Sequence, residues 1–185
     1  GIFKEYFDSA EPVDLYNDGG AYRWIELLKK RPKDKPFFCW YSTFDAHRTR
    51  PRLHDAEDPP YMPRTWNAPR LHDVEDVSVP PYMPEVDSSG YYNTREDLAQ
   101  YYDAISRLDS YVGKIIEELK EQNVYDNTLI VLLADNGRCF IRSKVNVYDS
   151  GVRIPFIVHW PKGITNPGTV SESLVSSIDL APTLL

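Results

Sequence analysis

The run Thr128-Leu129-Ile130-Val131-Leu132-Leu133-Ala134 carries no charge and stops abruptly at Asp135-Asn136-Gly137. Continuous apolar character without polar alternation predicts a strand covered on both faces, the habit of parallel sheets packed between helices. Ligands of open α/β sheets sit beyond the carboxyl ends of the strands. The carboxylate of Asp135, the amide oxygen of Asn136 and, within the next loop, the ammonium of Lys144 therefore point to a site for a metal and an anion. Oxygen donors from Asp and Asn suit hard Ca²⁺ or Mg²⁺ better than zinc. Asp-Asn-Gly is equally a common tight turn, and those three residues alone leave both readings open.

The rest of the chain supplies a context for that strand. Ala21, Trp24, Ile25 and Leu28 recur at helical spacing and predict a helix over 14–31, with Lys29-Lys30-Arg31 favourably placed in its last turn. Aromatic-rich residues 37–43 predict a strand that ends at Phe44-Asp45-Ala46-His47, again delivering polar groups at a carboxyl end. Thr94 with Asp97 resembles a capping box, and Leu98, Tyr101, Tyr102, Ile105, Leu108, Val112, Ile115, Ile116 and Leu119 form an apolar stripe of roughly seven turns. That helix is expected to end near Gln122, with Asn123 suited to a left-handed cap. A further strand over 155–160 and a helix start near the end complete an α/β alternation.

Between them, 49–93 is proline-heavy and contains an internal repeat. Arg52-Leu53-His54-Asp55-Ala56-Glu57-Asp58-Pro59-Pro60-Tyr61-Met62-Pro63 returns as Arg70-Leu71-His72-Asp73-Val74-Glu75-Asp76 and then Pro80-Pro81-Tyr82-Met83-Pro84. Two copies do not make a solenoid, so the segment reads as a duplication within one long loop near the mouth of the site. The second copy is favoured for the ordinary position because it leads directly into the next helix. His54 and His72 are candidate substrate contacts within it.

With 185 residues, 42% hydrophobic, the chain suffices for one α/β core, so 1–185 reads as one domain or part of one. Its formal charge of −7 and the absence of any basic cluster longer than Lys29-Lys30-Arg31 exclude the electrostatic footprint of a nucleic-acid binder. No apolar stretch is long enough for a membrane span, and no signal peptide is present in the sequence given. Cys39 and Cys139 form neither a disulfide framework nor a zinc pattern. Cys39, within Phe37-Phe38-Cys39-Trp40-Tyr41, is expected to be a small buried hydrophobe, and Cys139 to be partly exposed.

Several motifs in matching order resemble the sulfatase family of the alkaline-phosphatase-like superfamily. They are Lys35-Pro36-Phe37-Phe38, Phe44-Asp45-Ala46-His47-Arg48, Tyr101-Tyr102-Asp103-Ala104-Ile105 with Leu108-Asp109, and Asp126-Asn127-Thr128. Ala134-Asp135-Asn136-Gly137, Tyr148-Asp149-Ser150-Gly151-Val152-Arg153-Ile154-Pro155-Phe156 and Ile178-Asp179-Leu180-Ala181-Pro182-Thr183 continue the series. The resemblance implies part of an α/β/α sandwich with a mainly parallel central sheet. It makes Asp135 and Asn136 ligands of a divalent cation, usually calcium, Lys144 a sulfate-binding residue, and His47 a group beside the leaving oxygen. The implied chemistry is cleavage of a sulfate ester or sulfamate on a small molecule or glycan. Asp149 and Arg153 are expected to pair and brace the Tyr148 loop, while Arg138 and Arg142 flank the site.

Sulfatases use a Cys/Ser-x-Pro-x-Arg motif whose first residue becomes formylglycine, and no such motif occurs in this sequence. The early acidic pair that completes the family's metal cage is missing as well. The chain therefore reads as the middle of a longer sulfatase, inactive by itself. Two other readings are a phosphate or phosphonate ester hydrolase of the same superfamily and a non-catalytic domain that binds sulfated glycans.

Overall fold

The computed structural model describes residues 21–43, 45–46, 70–85 and 93–185, and clusters into two compact units, Gly1–Ile115 and Ile116–Leu185. In the first unit, α1 (Tyr22–Lys30) buries Trp24 and Leu28 together with Ala21 just before it, the face its periodicity predicts. Arg31-Pro32 stops it, because proline at the next turn disfavours helical backbone before it and offers no N–H. Residues 14–20 of the expected helix lie outside the described residues.

Residues 37–43 run without regular secondary structure, which corrects the expected strand. Tyr41 packs inward, stacked on Trp24 with ring centroids 5.3 Å apart, and its hydroxyl donates to the Trp24 carbonyl at 3.3 Å. Burial, followed by the hydrogen bond with Cys39, raises the Tyr41 phenol above its ordinary value. Phe38 and Trp40 point outward, 64% and 75% exposed, and Cys39 is exposed rather than buried. Aromatic composition supplies strand character, but a ladder also needs a neighbour's backbone groups, and none pairs with this segment among the described residues.

The long helix α2 (Thr94–Glu121) has 28 residues, as the apolar stripe predicts. Its cap differs from the expectation. The Asn93 side chain accepts from the Glu96 N–H at 3.1 Å, so Asn93 caps the helix and Thr94 belongs to the first turn. Thr94 instead anchors the preceding loop, its N–H donating to the Glu85 carbonyl at 2.9 Å and its hydroxyl to Pro84. At the other end Asn123 takes the left-handed conformation, φ 57°. Its N–H reaches the Lys120 carbonyl at 2.9 Å and that of Val124 reaches Leu119 at 3.0 Å, the paired bonds of a Schellman cap.

The second repeat copy packs on α2. One oxygen of the buried Asp103 carboxylate accepts from the N–H groups of Leu71 and His72, at 3.0 and 2.9 Å, and lies 2.8 Å from His72 Nδ1. Arg70 grips Glu96 with two bonds of 2.7 and 2.9 Å, while Val77 and Met83 are buried. The copies diverge where this packing is tightest. Asp76 is followed by Val77-Ser78-Val79, whereas Asp58 runs straight into Pro59. Val77, whose carbonyl also accepts from Arg95, has no counterpart in the first copy, a physical reason for the second to fit here. The first copy, with His54, lies outside the described residues.

The Arg70 hydrogen bond, then that of Gln100, holds the Glu96 carboxyl below its ordinary range. A depressed folded value means that the contribution is complete above the ordinary carboxylate value and disappears as pH falls through the lower folded one. Both partners are well exposed, so the effect is small. Protection of the Leu71 and His72 amides, measured relative to their intrinsic exchange rate, should therefore fall slightly at the acid end of that window, and Glu96→Gln should flatten the change.

The second unit holds β1 (Ile130–Leu133), α3 (Asp149–Val152), β2 (Phe156–His159) and α4 (Leu180–Leu184). β1 and β2 pair antiparallel, Ile130 facing His159 and Leu133 facing Phe156. The one sheet among the described residues is thus two-stranded and antiparallel, not the mainly parallel sheet expected, and β1 is only half-buried. A continuous apolar run records affinity for a sheet interior but not the direction of the neighbour. Pro182 lies in the first turn of α4, where a missing N–H costs nothing. No described helix is long and apolar enough to cross a membrane.

Candidate active site

β1 hands the chain directly to the candidate ligands. The ladder extends one residue past the strand, Ala134 N–H to the Pro155 carbonyl at 3.3 Å, and the backbone then bends through Asp135-Asn136-Gly137. Asp135 is exposed. The Asn136 amide nitrogen donates to the Gly137 carbonyl at 2.8 Å, which leaves its oxygen available as an acceptor. Two adjacent hard oxygen donors fit a cation such as calcium, but supply only part of the roughly six to eight oxygens it takes. Among the described residues no cluster of three or more carboxylate, imidazole or thiol side chains completes such a shell.

Two glycines lock this turn against the following loop. The Gly137 N–H donates to the Gly151 carbonyl at 3.0 Å, and a Cβ on Gly137 would stand 2.1 Å from the Ser150 carbonyl oxygen. Gly151 is as tightly enclosed, a Cβ there meeting the carbonyl oxygens of Asn146 at 2.1 Å and Ser143 at 2.4 Å. Lys144 lies between those two carbonyls in sequence, and its N–H reaches the Arg138 carbonyl at 2.9 Å. The interlock therefore brings the backbone of Lys144 beside the turn that carries Asp135 and Asn136. Lys144 is half-buried and makes no ion pair among the described residues. Its ammonium has a charge to offer.

The loop is held in a costly conformation. Arg142 and Val145 have φ of 58° and 63°, and for a β-branched residue that region costs of order 1–3 kcal/mol. Ser143 is fully buried and its hydroxyl has no hydrogen-bond partner, a desolvation cost of about 1–3 kcal/mol. The Ser150 hydroxyl steadies the arrangement by donating to the Arg142 carbonyl at 2.6 Å. Asp149 and Arg153 do not form the expected ion pair. Both side chains are exposed, and the residues meet through the Arg153 N–H and Asp149 carbonyl, 2.8 Å apart in α3. Cys139 is partly exposed, and His159 is exposed at the end of β2 with its ring 5.3 Å from that of Tyr125.

His47 lies outside the described residues, but the segment leading to it is anchored in the first unit. Arg107 on α2 donates from Nε and Nη2 to the two oxygens of Asp45, at 2.9 and 2.5 Å. The side chains are only 14% and 4% exposed, and Ala46 next to them takes φ 66°. This pair was not among the residues singled out from sequence. A charged residue inside a strand-end motif, Phe44-Asp45-Ala46-His47, was the available signal, but nothing local names its partner 62 positions away.

Comparison with known proteins identifies the family. The family model for sulfatases matches residues 16–185, and the chain belongs to the sulfatase family, whose fold is the α/β alkaline-phosphatase-like one. It is 27% identical over 208 residues to an ulvan-active sulfatase of Formosa agariphila, covering 99% of this chain and 33% of that protein. Human N-sulphoglucosamine sulphohydrolase is 32% identical over 175 residues, covering 87% of this chain and 34% of the relative. A canine N-acetylgalactosamine-6-sulfatase is 32% identical over 197 residues, covering 99% and 35%. The chain thus spans about a third of the length of these relatives.

Proposed function

We propose that the protein to which this chain belongs is a sulfuric ester hydrolase that cleaves a sulfate ester or sulfamate on a sugar. The observation that carries the reading is the glycine interlock, which joins the Asp135-Asn136 turn to the Lys144 loop at the end of β1. Family membership and relatives named for sulfated amino sugars support the substrate class. Apolar side chains exposed on both strands, Leu132 on β1 and Ile157 and Val158 on β2, support further layers of a larger α/β domain packed over this pair.

In this reading Asp135 and Asn136 contribute oxygen ligands to a divalent cation, calcium in preference to magnesium because neither residue imposes tight octahedral geometry. The cation supplies charge stabilisation to the sulfuryl oxygens when bound. Lys144 holds a sulfuryl oxygen through its ammonium, carried on a backbone that the Arg138 carbonyl and the enclosed Gly151 hold in place. His47, delivered by the segment that Arg107 anchors, donates a proton to the departing oxygen or nitrogen. The nucleophile is a formylglycine outside the present sequence, so the 185 residues alone have no turnover.

Hydrolysis of an aryl sulfate by the full-length protein tests this. Lys144→Ala should lower kcat/KM about 100-fold, the scale of losing one preorganised donor to a developing negative charge. A loss below threefold in a folded variant would remove Lys144 from the site.

A further inference from the structure

Beyond the sulfate group itself, we infer that the loop carrying Lys144 recognises a second anionic group of the sugar, with Arg142 as the specificity-determining residue. The inference rests on the reading of Lys144 as the sulfate-binding cation. Although the chain has a net charge of −7, residues 138–148 carry Arg138, Arg142 and Lys144 and no acid. A locally cationic loop on an acidic protein attracts an anion by its own field, which short-range desolvation and convergence strengthen.

The position of Arg142 makes it the reader of that anion. Its side chain is exposed and has no carboxylate partner among the described residues, so all its donors remain available for planar, two-pronged recognition of a carboxylate or sulfate. The guanidinium carbon lies 5.9 Å from the ring centre of Tyr148, itself 56% exposed. The guanidinium thus stands over the tyrosine ring without using its N–H donors, and the pair matches a sugar that bears a charged substituent: the sugar packs against the exposed part of the tyrosine and the substituent meets the arginine.

A second observation favours function over chance. Arg142 is held at φ 58°, and the next residue, Ser143, is wholly buried with an unpartnered hydroxyl, directly before Lys144. A loop selected for stability alone would relax both features. Here the left-handed residue turns the chain between the two cations, so that one loop presents Lys144 on its half-buried side and Arg142 on its exposed side.

Calorimetric binding to the full-length protein tests the inference with two probes, a glucosamine bearing one sulfate and a disaccharide that adds a uronate carboxylate to it. Arg142→Ala should weaken the doubly charged probe about tenfold more than the singly charged one, and Arg142→Lys should restore part of the difference. Equal losses for the two probes, or none, overturn the role of Arg142 while leaving the sulfate site intact. If the unaltered protein binds neither probe, the sulfate-site reading itself fails, and this inference with it. Lys144→Ala, weakening both probes alike, separates the two cations.

Discussion

Arg107→Ala is expected to destabilise the protein by about 3–5 kcal/mol, the usual cost of leaving one member of a buried ion pair without its partner. Asp45 is almost fully enclosed and both its oxygens are engaged by the same guanidinium. Removing that fork leaves a carboxylate that must either remain charged in a poor environment or take up a proton. Arg107→Lys should recover only part of the loss, because an ammonium cannot reproduce two parallel bonds from a rigid plane. Replacing both residues by apolar ones of similar volume should cost much less than the single change. Urea unfolding checks this through the midpoint. A shift equivalent to less than about 1 kcal/mol in the Arg107→Ala protein would mean that the pair is open to solvent. Under the proposed role of His47, the same variant should also slow turnover beyond its effect on stability, since Asp45 and Ala46 immediately precede His47 in the chain.

Gly151→Ala should cost at least about 3 kcal/mol, near the top of the range for overpacking, because the new methyl meets two backbone carbonyls rather than a side chain that can rotate away. Gly137→Ala should behave alike for the same reason, its obstruction being the Ser150 carbonyl and the Gly151 backbone. Gly113 provides the contrast. It lies within α2, and a Cβ there has nothing within 4 Å. Gly113→Ala should stabilise the protein by up to about 1 kcal/mol through helix propensity alone. Thermal unfolding of the three variants measures the difference directly. Comparable melting temperatures for Gly151→Ala and the unaltered protein would dissolve the interlock on which the proposed site depends.

The parts of this structure that were legible in the sequence are those encoded by local periodicity or by a single residue's backbone preference. The stripe from Leu98 to Leu119 gave α2 its length, and Asn123 marked the cap because few other residues accept a left-handed conformation at so little cost. The apolar run before Asp135 placed β1 and its carboxyl end. What was not legible depended on neighbours. Residues 37–43 have strand composition but no ladder among the described residues, and Cys39 faces outward as a result. Asn93 displaced Thr94 as the cap because the Thr94 hydroxyl is drawn to Pro84. The pairing of Asp45 with Arg107, like that of Asp103 with residues 71 and 72, joins positions too distant for any helix or turn rule. For the site, the sequence offered Asp135, Asn136 and Lys144 as chemistry, but not the two glycines that make them one loop.

The claim on which the functional account stands is that Asp135 and Asn136 hold a divalent cation next to the anion-binding Lys144. Titration of calcium into the metal-stripped full-length protein, followed by calorimetry, addresses it most directly. The account predicts a single saturable site whose affinity falls at least tenfold in Asp135→Ala and is enhanced by a bound sulfated sugar in the unaltered protein but not in Lys144→Ala. Calcium binding of equal strength in Asp135→Ala would contradict it.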